Sequence, residues 1–126
     1  MASRPTGIGV DLVDLRRVRR FLQDHPKSFF RLLSPVEKKL WSARKPTALD
    51  FARLFAAKEA FFKALGGSWM GLEGFERFEV SCSRRSRFTV QSLPSGKCGE
   101  GRFFRVPNAV GAEVICWKNS DALAPS

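Results

Sequence analysis

One stretch of the sequence, FARLFAAKEAFFKALGG at residues 51–67, is apolar or small on nearly every side. It contains no proline, and its only glycines lie at its end, so it predicts a helix capped by Asp50 and terminated by Gly66 and Gly67. At about 100° per residue, the large apolar residues form one arc. A second, smooth strip consists of Ala52, Ala56, Ala60 and Ala64. A helix without a solvated face is usually central in its domain, so we expect the rest of the chain to cover this one.

Three charged side chains in the second half of this helix require an explanation. Lys58 lies within the arc of phenylalanines, where a lysine needs either a route to water or an anionic partner. Glu59 and Lys63 have the i,i+4 spacing of a surface ion pair, which contributes about 0.2–0.5 kcal/mol. From helix geometry alone, a surface pair and a functional role for Glu59 are equally open.

The composition indicates one globular domain. The chain has 126 residues, of which 44% are hydrophobic. We expect residues 1–118 to form the domain and residues 119–126 to be a disordered tail. No apolar run approaches the roughly 20 residues of a membrane span, and the first residues lack the hydrophobic segment of a signal peptide, so we expect a cytoplasmic protein without membrane contact. The three cysteines are widely spaced and form no CxxC motif, which favours reduced thiols over a zinc site or disulfides.

Charge and histidine content limit the chemistry that this chain can perform. His25 is the only histidine, which excludes a histidine-based metal cluster and argues against a Ser-His or Cys-His nucleophile. Catalysis would depend on carboxylates, lysines or a metal ion held by oxygen. With 22 Lys and Arg against 12 Asp and Glu, the net charge is +10. The expected partner is therefore anionic: nucleic acid, a phosphate-rich cofactor or an acidic protein.

The N-terminal sequence GIGVDLV, residues 7–13, alternates like a half-buried strand and places Asp11 inside it. Strands are depleted in aspartate, so Asp11 indicates either a hydrogen bond that starts the next helix or a functional role. Asp14 is the expected N-cap of that helix, which buries an apolar stripe. Its outer face is a dense basic patch, either solvated or suited to docking something acidic: Arg16, Arg17, Arg19 and Arg20.

Two further helices are expected before the central one. Residues 28–33 predict a short helix whose apolar side chains turn toward the core: Phe29, Phe30, Leu32 and Leu33. The sequence Ser34-Pro35-Val36-Glu37 is a capping box with proline at the first helical position. It predicts a helix that carries three apolar side chains: Val36, Leu40 and Trp41.

Beyond residue 67 the hydrophobic period changes to two, which predicts strands. Strands are expected at 78–82, from 88 to 90, at 102–106 and at 109–117, with a glycine-containing loop at 94–101 and a tight turn at Pro107-Asn108. The order of an N-terminal strand, several helices around a central helix and then an antiparallel sheet defines an α+β fold.

Two motifs in combination, GIGVDLVDLRRV near the start and FARLFAAKEAFFKALGG in the middle, resemble the small holo-acyl-carrier-protein synthases, a branch of the 4'-phosphopantetheinyl transferases. The similarity covers residues 7–80 and includes Phe75 ahead of the Glu79-Val80 strand. It implies a 4'-phosphopantetheinyl transferase-like fold and an enzyme that moves phosphopantetheine from coenzyme A to a serine of apo acyl carrier protein. It also implies Mg²⁺ on the pyrophosphate and release of 3',5'-ADP.

The resemblance assigns roles to individual residues of this chain. Asp11 and Glu59 resemble the two metal-binding carboxylates, and Lys63 completes the catalytic set. Coenzyme A contacts are implied for Lys58, Lys63 and Gly66, and docking of the acidic carrier protein for Arg16, Arg17 and Arg20. These residue types suit the chemistry because Mg²⁺ binds carboxylates together with phosphate oxygens and water. Phosphoryl transfer is assisted mainly by positioning and by neutralising charge.

The resemblance further implies a homotrimer whose active sites lie between subunits. The late strands are expected to form the contact. They carry more apolar surface than one short core needs: Phe103, Phe104, Val114 and Trp117.

The last third of the chain departs from the family pattern. Family members carry Gly-Lys-Pro, a helix and a strand ending in a Ser-x-Ser-His-like sequence, whereas here Gly96-Lys97-Cys98 is followed almost at once by a predicted strand. Leu54 also stands where an arginine often precedes Phe-Ala-Ala-Lys-Glu, although Arg53 is adjacent. These departures leave the carboxylate pair intact and affect the expected coenzyme-binding wall.

Two other functions stay open. A catalytically impaired relative, kept as a carrier-protein interaction module, would retain the arginine helix and lack transfer activity. A basic single-stranded nucleic-acid-binding domain would use aromatic side chains of the sheet as stacking platforms: Phe88, Phe103 and Phe104. That function gives no reason for Asp11 and Glu59, so nucleic acid is the less favoured partner.

Overall fold

The computed structural model describes residues 4–67, 74–93 and 95–118. Its elements follow the expected order: β1 (Arg4–Asp14), α1 (Leu15–Asp24), α2 (Ser28–Arg31), α3 (Pro35–Trp41), α4 (Ala48–Ala64), a short 3-10 helix (Phe75–Arg77), β2 (Phe78–Cys82), β3 (Arg87–Ser92), β4 (Cys98–Val106) and β5 (Ala109–Lys118). This confirms the α+β class. The predicted tail, residues 119–126, lies outside the described residues.

The strands form one antiparallel sheet in the order β1-β5-β4-β3-β2. The first and last strands of the chain are therefore neighbours, with Asp11 opposite Ala112. Within the described ranges, none of the helices combines the length and hydropathy that a membrane-spanning helix requires.

The prediction of a loop at 94–101 is wrong at its end, because β4 already begins at Cys98. Two of the glycines that suggested a loop lie in this strand beneath large side chains. A Cβ atom on Gly101 would lie 2.2 Å from the Phe88 ring, and one on Gly99 would lie 2.7 Å from a methyl group of Val114. Glycine is needed here for close packing within a sheet rather than for a turn.

Helix α4 lies across the face of the sheet that β1 and β5 form. The predicted alanine strip is buried, and its contact with β1 is a direct approach of two backbones. A Cβ atom on Gly9 would lie 1.8 Å from the carbonyl oxygen of Ala60, and one on Gly7 would lie 1.8 Å from that of Ala64. Only glycine in β1 permits this spacing, which brings the strand's in-facing side chains against α4.

The N-terminal end of α4 differs from the prediction. The helix begins at Ala48 with Thr47 as its N-cap, and Asp50 lies inside the first turn. The Thr47 hydroxyl accepts from the Asp50 N–H at 3.2 Å, and Asp50 Oδ2 accepts from the Thr47 N–H at 2.8 Å. The two residues form a capping box. At the other end Gly66 has a φ of 88°, as the predicted glycine terminus requires.

Helices α1 and α3 begin at the capping residues that the sequence predicted, but the burial of apolar side chains on α2 differs in part from the prediction. Asp14 caps α1, and Ser34 and Glu37 form the predicted capping box of α3. Phe30 of α2, which was expected to turn toward the core, is 43% exposed. On α3, Val36 and Leu40 are 52% and 61% exposed. The side chain that α3 buries is Glu37.

The face of the sheet turned away from α4 carries an exposed apolar surface. Ile8, Val10 and Leu12 of β1 and Ile115 of β5 are 67%, 50%, 57% and 38% exposed. This corrects the expected contact surface, because Val114 is fully buried and Phe103 packs against the core on the α4 side. The apolar surface thus comes largely from the N-terminal strand, beside Phe104 and Trp117, which are half-buried.

Candidate functional site

Asp11 and Lys63 meet where the C-terminal end of α4 crosses β1. Lys63 Nζ donates to Asp11 Oδ1 at 3.0 Å and to the carbonyl oxygen of Val10 at 3.2 Å. The Asp11 side chain is 14% exposed and that of Lys63 is 44% exposed, so the ion pair opens to solvent on the lysine side. The sequence reasoning assigned these two residues to one site, and the fold places them together.

Glu59 lies one turn earlier on α4 and is 3% exposed. Its Oε2 atom is buried and has no hydrogen-bond partner among the described residues. Lys63 pairs with Asp11, and Glu59 takes part in none of the ion pairs of the described chain. The surface ion pair between Glu59 and Lys63 is therefore not formed. This pair was one of the two explanations for Glu59 that the sequence left open.

The two carboxyl groups have environments that disfavour their ionised forms. Burial raises the pKa of Asp11, and the hydrogen bond and charge of Lys63 oppose that rise. Burial is also the main cause that raises the pKa of Glu59, and repulsion from the Asp11 carboxylate raises it further. The two groups are thus close enough to repel each other, and Lys63 compensates them only in part.

The donor set at this position fits a hard divalent cation. A buried carboxylate oxygen without a partner, beside a second carboxylate, is stabilised by a cation that both can bind. The described residues contain no group of three or more His, Cys, Asp or Glu side chains suited to a metal. The described residues therefore supply two carboxylates at this position, which suits Mg²⁺ because that ion usually keeps water and phosphate oxygens in its shell.

Lys58 is not brought to this cluster. Its side chain is 0% exposed. Its Nζ donates to the carbonyl oxygen of Leu32 at 2.5 Å, to Glu37 Oε1 at 2.6 Å and to the carbonyl oxygen of Phe75 at 3.0 Å. An ammonium group has three donors, and all are used. Burial lowers the pKa of Lys58, and the Glu37 carboxylate opposes that shift. This geometry is at odds with the coenzyme contact that the resemblance implied.

Glu37 is the residue that sequence reasoning missed. Its Oε1 accepts from the Ser34 N–H at 2.8 Å, and its Oε2 accepts from the Val80 N–H at 2.7 Å. The sequence did contain an indication of this role, because a lysine among phenylalanines needs an anionic partner when it has no route to water. The capping box explained Glu37 locally and hid its second role.

Gly66 follows the end of α4 and the α1 arginines follow the end of β1, and these two elements carry Glu59 and Asp11. The Gly66 N–H donates to the carbonyl oxygen of Lys63 at 2.9 Å, and a side chain at Gly66 would meet open space. Helix α1 begins directly after β1, capped by Asp14 at 2.8 Å from the Arg16 N–H. Its exposed arginines therefore start within one helical turn of the end of the strand that carries Asp11: Arg16, Arg17, Arg19 and Arg20.

Two of the three aromatic residues that were predicted as stacking platforms for nucleic acid, Phe88 and Phe103, lie on the core side of the sheet. Phe88 is 1% exposed and stacks on Phe103, with ring centroids 4.4 Å apart. The Arg53 guanidinium lies 5.9 Å from the centroid of the Phe103 ring. Of the three predicted platforms, only Phe104 lies on the outer face, where its ring covers Gly111.

Sequence comparisons identify relatives of this chain. The family model described as the 4'-phosphopantetheinyl transferase superfamily matches residues 7–116. A holo-[acyl-carrier-protein] synthase of Geotalea daltonii is 39% identical over 95 residues, which is 75% of this chain and 74% of the relative. A holo-[acyl-carrier-protein] synthase of an Azoarcus species is 46% identical over 61 residues, 48% of this chain and 49% of the relative.

Solved structures share the fold. The holo-[acyl-carrier-protein] synthase of Neisseria meningitidis has a TM-score of 0.72 and 28% identity, covering 90% of this chain and 98% of its own. That of Bacillus anthracis, in complex with CoA (3',5'-ADP), has a TM-score of 0.70 and 24% identity, covering 92% and 98%. The second likeness supports the fold alone.

Proposed function

This chain belongs to the 4'-phosphopantetheinyl transferase superfamily, and from that premise we propose that it transfers 4'-phosphopantetheine from coenzyme A to a serine of an apo acyl carrier protein. The serine hydroxyl forms a new bond to phosphorus, the pyrophosphate bond breaks, and 3',5'-ADP leaves. The observation that carries the proposal is the buried, unpartnered Oε2 of Glu59 beside Asp11 and Lys63.

Each residue of the site has a role in that reaction. Asp11 and Glu59 would hold Mg²⁺, which when bound would neutralise charge on the pyrophosphate. Lys63, held at 3.0 Å from Asp11 and exposed on its other side, orients the phosphate groups. Among the residues of this site, Glu59, with one carboxylate oxygen free of any hydrogen-bond partner, would accept the proton of the serine hydroxyl. Gly66 lets the coenzyme approach the end of α4, because no side chain occupies that space.

The arginines of α1 dock the carrier protein through long-range attraction to its acidic surface. Arg16, Arg17 and Arg20 are exposed on α1, the helix that follows directly after the strand carrying Asp11, and this connection supports docking of the carrier protein on that side of the site. Reversing Arg17 and Arg20 to Glu raises the KM for the carrier protein and flattens its salt dependence, while coenzyme A binding stays unchanged. Lys38→Glu with Lys39→Glu, two exposed lysines on α3, is the matched control.

The functional assembly is a homotrimer whose active sites lie between subunits. Support comes from the exposed apolar surface of Ile8, Val10, Leu12 and Ile115, which a second copy would cover. Light scattering at micromolar concentration tests the proposal. The Val10→Lys variant is expected to be monomeric. The control is Val36→Lys, which changes an equally exposed valine on α3 and is expected to keep the trimer. A native protein that is monomeric would contradict the proposed homotrimer.

Transfer itself is tested by incubating the protein with coenzyme A, Mg²⁺ and an apo carrier protein and measuring the carrier by mass spectrometry. The expected result is a mass gain of one phosphopantetheine, lost in Asp11→Asn and Glu59→Gln and retained in Glu76→Gln. Carrier binding without any mass gain would support the interaction module instead. Unchanged Mg²⁺-dependent binding of coenzyme A in both carboxylate variants, measured by isothermal titration, contradicts the metal assignment.

A further inference from the structure

The contact between α4 and β1 is smooth on the side that carries the candidate metal site. Ala60 and Ala64 lie over Gly9 and Gly7, so no large side chain interdigitates there. Such a contact permits close approach but does little to fix the position of the helix along its axis. One helical turn corresponds to about 5.4 Å, so an axial shift of that size would separate Glu59 from Asp11.

Lys58, the residue before Glu59, makes contacts that are possible in only one axial position of α4. Its Nζ bonds three parts of the chain: the carbonyl of Leu32 after α2, Glu37 on α3 and the carbonyl of Phe75 in the 3-10 helix. Glu37 in turn accepts the N–H of Val80 in β2 at 2.7 Å. The middle of α4 is therefore tied to four other elements through one buried ion pair.

We propose that Glu37 and Lys58 are positioning residues whose buried ion pair fixes the axial register of α4, so that Glu59 lies beside Asp11. The smooth contact of Ala60 and Ala64 with β1 tolerates sliding, whereas this network is satisfied in one register only, and an unsatisfied buried charge is costly. The inference rests on the proposed function, because it takes Asp11 and Glu59 to be the metal-binding pair.

The test separates metal affinity from stability. Lys58→Met combined with Glu37→Gln removes both charges and keeps an amide oxygen for the Val80 N–H. Mn²⁺ binding in the presence of coenzyme A is measured by electron paramagnetic resonance, under conditions where urea titrations show that the protein is folded. Affinity is expected to fall about 10–100-fold, the range seen when groups behind metal ligands are removed. Val90→Ala, a truncation in the core of β3, lowers stability without changing Mn²⁺ affinity.

Native affinity in the folded double variant would overturn the inference, since the network would then be only structural. If the double variant does not fold, Glu37→Gln alone is measured, because it keeps an oxygen for Lys58. This variant is expected to weaken Mn²⁺ binding to a smaller extent. Unchanged Mn²⁺ affinity in Glu37→Gln would overturn the inference. Asp11→Asn tests the proposed function separately: if the native protein and Asp11→Asn bind Mn²⁺ equally, the metal site fails and the register role falls with it.

Discussion

Helix α4 carries two charged clusters that lie within one turn of each other and differ in how completely they are satisfied. Around Lys58, three donors meet three acceptors, and the side chain is 0% exposed. Around Glu59, one buried carboxylate oxygen has no partner, and the repulsion from the Asp11 carboxylate exceeds the attraction to Lys63. Both clusters contain a lysine and carboxylates, so residue type alone does not distinguish them.

This difference in hydrogen bonding separates a structural cluster from a candidate functional one. Nearly all buried polar atoms in folded proteins are hydrogen-bonded, so a buried oxygen without a donor calls for an explanation by a bound ion, by ordered water or by a catalytic role. A satisfied network needs no ligand and contributes to the specificity of packing. By this criterion Lys58 belongs to the scaffold and Glu59 to the site, although the two residues are adjacent in the FAAKEA motif.

The largest effect is expected from breaking the satisfied cluster. Lys58→Met leaves the Glu37 carboxylate buried without its partner, which lowers the free energy of unfolding by about 3–5 kcal/mol. Lys63→Met, the same change one turn and a half further along α4, breaks a half-exposed pair and costs about 0–1 kcal/mol. Urea denaturation of both variants measures the two costs. Equal losses would contradict the distinction between the clusters.

The unsatisfied cluster is expected to respond with the opposite sign. In the metal-free protein, Glu59→Gln removes a buried charge that Asp11 repels, and its amide can donate to that carboxylate. The free energy of unfolding therefore increases by about 1 kcal/mol, while Mn²⁺ binding is lost. Glu76→Gln, at an exposed position, changes stability by less than about 0.5 kcal/mol. A destabilised Glu59→Gln protein would show that Glu59 has a structural partner.

Sequence reasoning recovered the elements whose signals are local. The Ser34 capping box, the Asp14 cap and the glycine end of α4 each depend on residues within a few positions, and each is found. Asp50 was misplaced as the N-cap because Thr47 and Asp50 cap each other, and either one fits a cap pattern read by itself.

Other features depend on contacts between distant residues. The Lys58–Glu37 pair joins positions 21 residues apart, so no periodicity reveals it. In a sequence, a glycine that packs beneath an aromatic ring in a strand cannot be distinguished from a glycine in a turn. Gly101, which packs against Phe88, was therefore assigned to a loop, and the predicted start of β4 was too late. The shared metal of Asp11 and Glu59 stays a prediction, made because each carboxylate occupies a position where its residue type is disfavoured and therefore needs compensation.

The pH dependence of stability tests whether the folded protein disfavours the ionised form of Glu59. The pKa of Glu59 in the folded state is raised above its ordinary value of 4.5, so the folded state binds the proton more tightly than the unfolded state does. As the pH falls through the window between the raised pKa and 4.5, protonation stabilises the folded protein. The advantage of metal-free Glu59→Gln over the native protein therefore shrinks between pH 7 and the lower end of that window. Urea midpoints measured in chelator give the difference; a constant advantage would contradict the raised pKa.

The smallest effect is the salt response of the two lysines. The side chain of Lys63 is 44% exposed, so solvent ions screen its attraction to Asp11, and the Debye length falls from about 10 Å at 0.1 M salt to about 3 Å at 1 M. The stability cost of Lys63→Met, a few tenths of a kcal/mol at low salt by the usual size of exposed pairs, is expected to approach zero at 1 M sodium chloride. The cost of Lys58→Met is expected to stay the same, because no ions reach a pair that is 0% and 2% exposed. Measuring both variants at both salt concentrations isolates screening from any general effect of salt on stability. A cost at Lys63 that salt leaves unchanged would mean that its pair with Asp11 is closed to solvent, and the lysine would then have no exposed side to offer a phosphate.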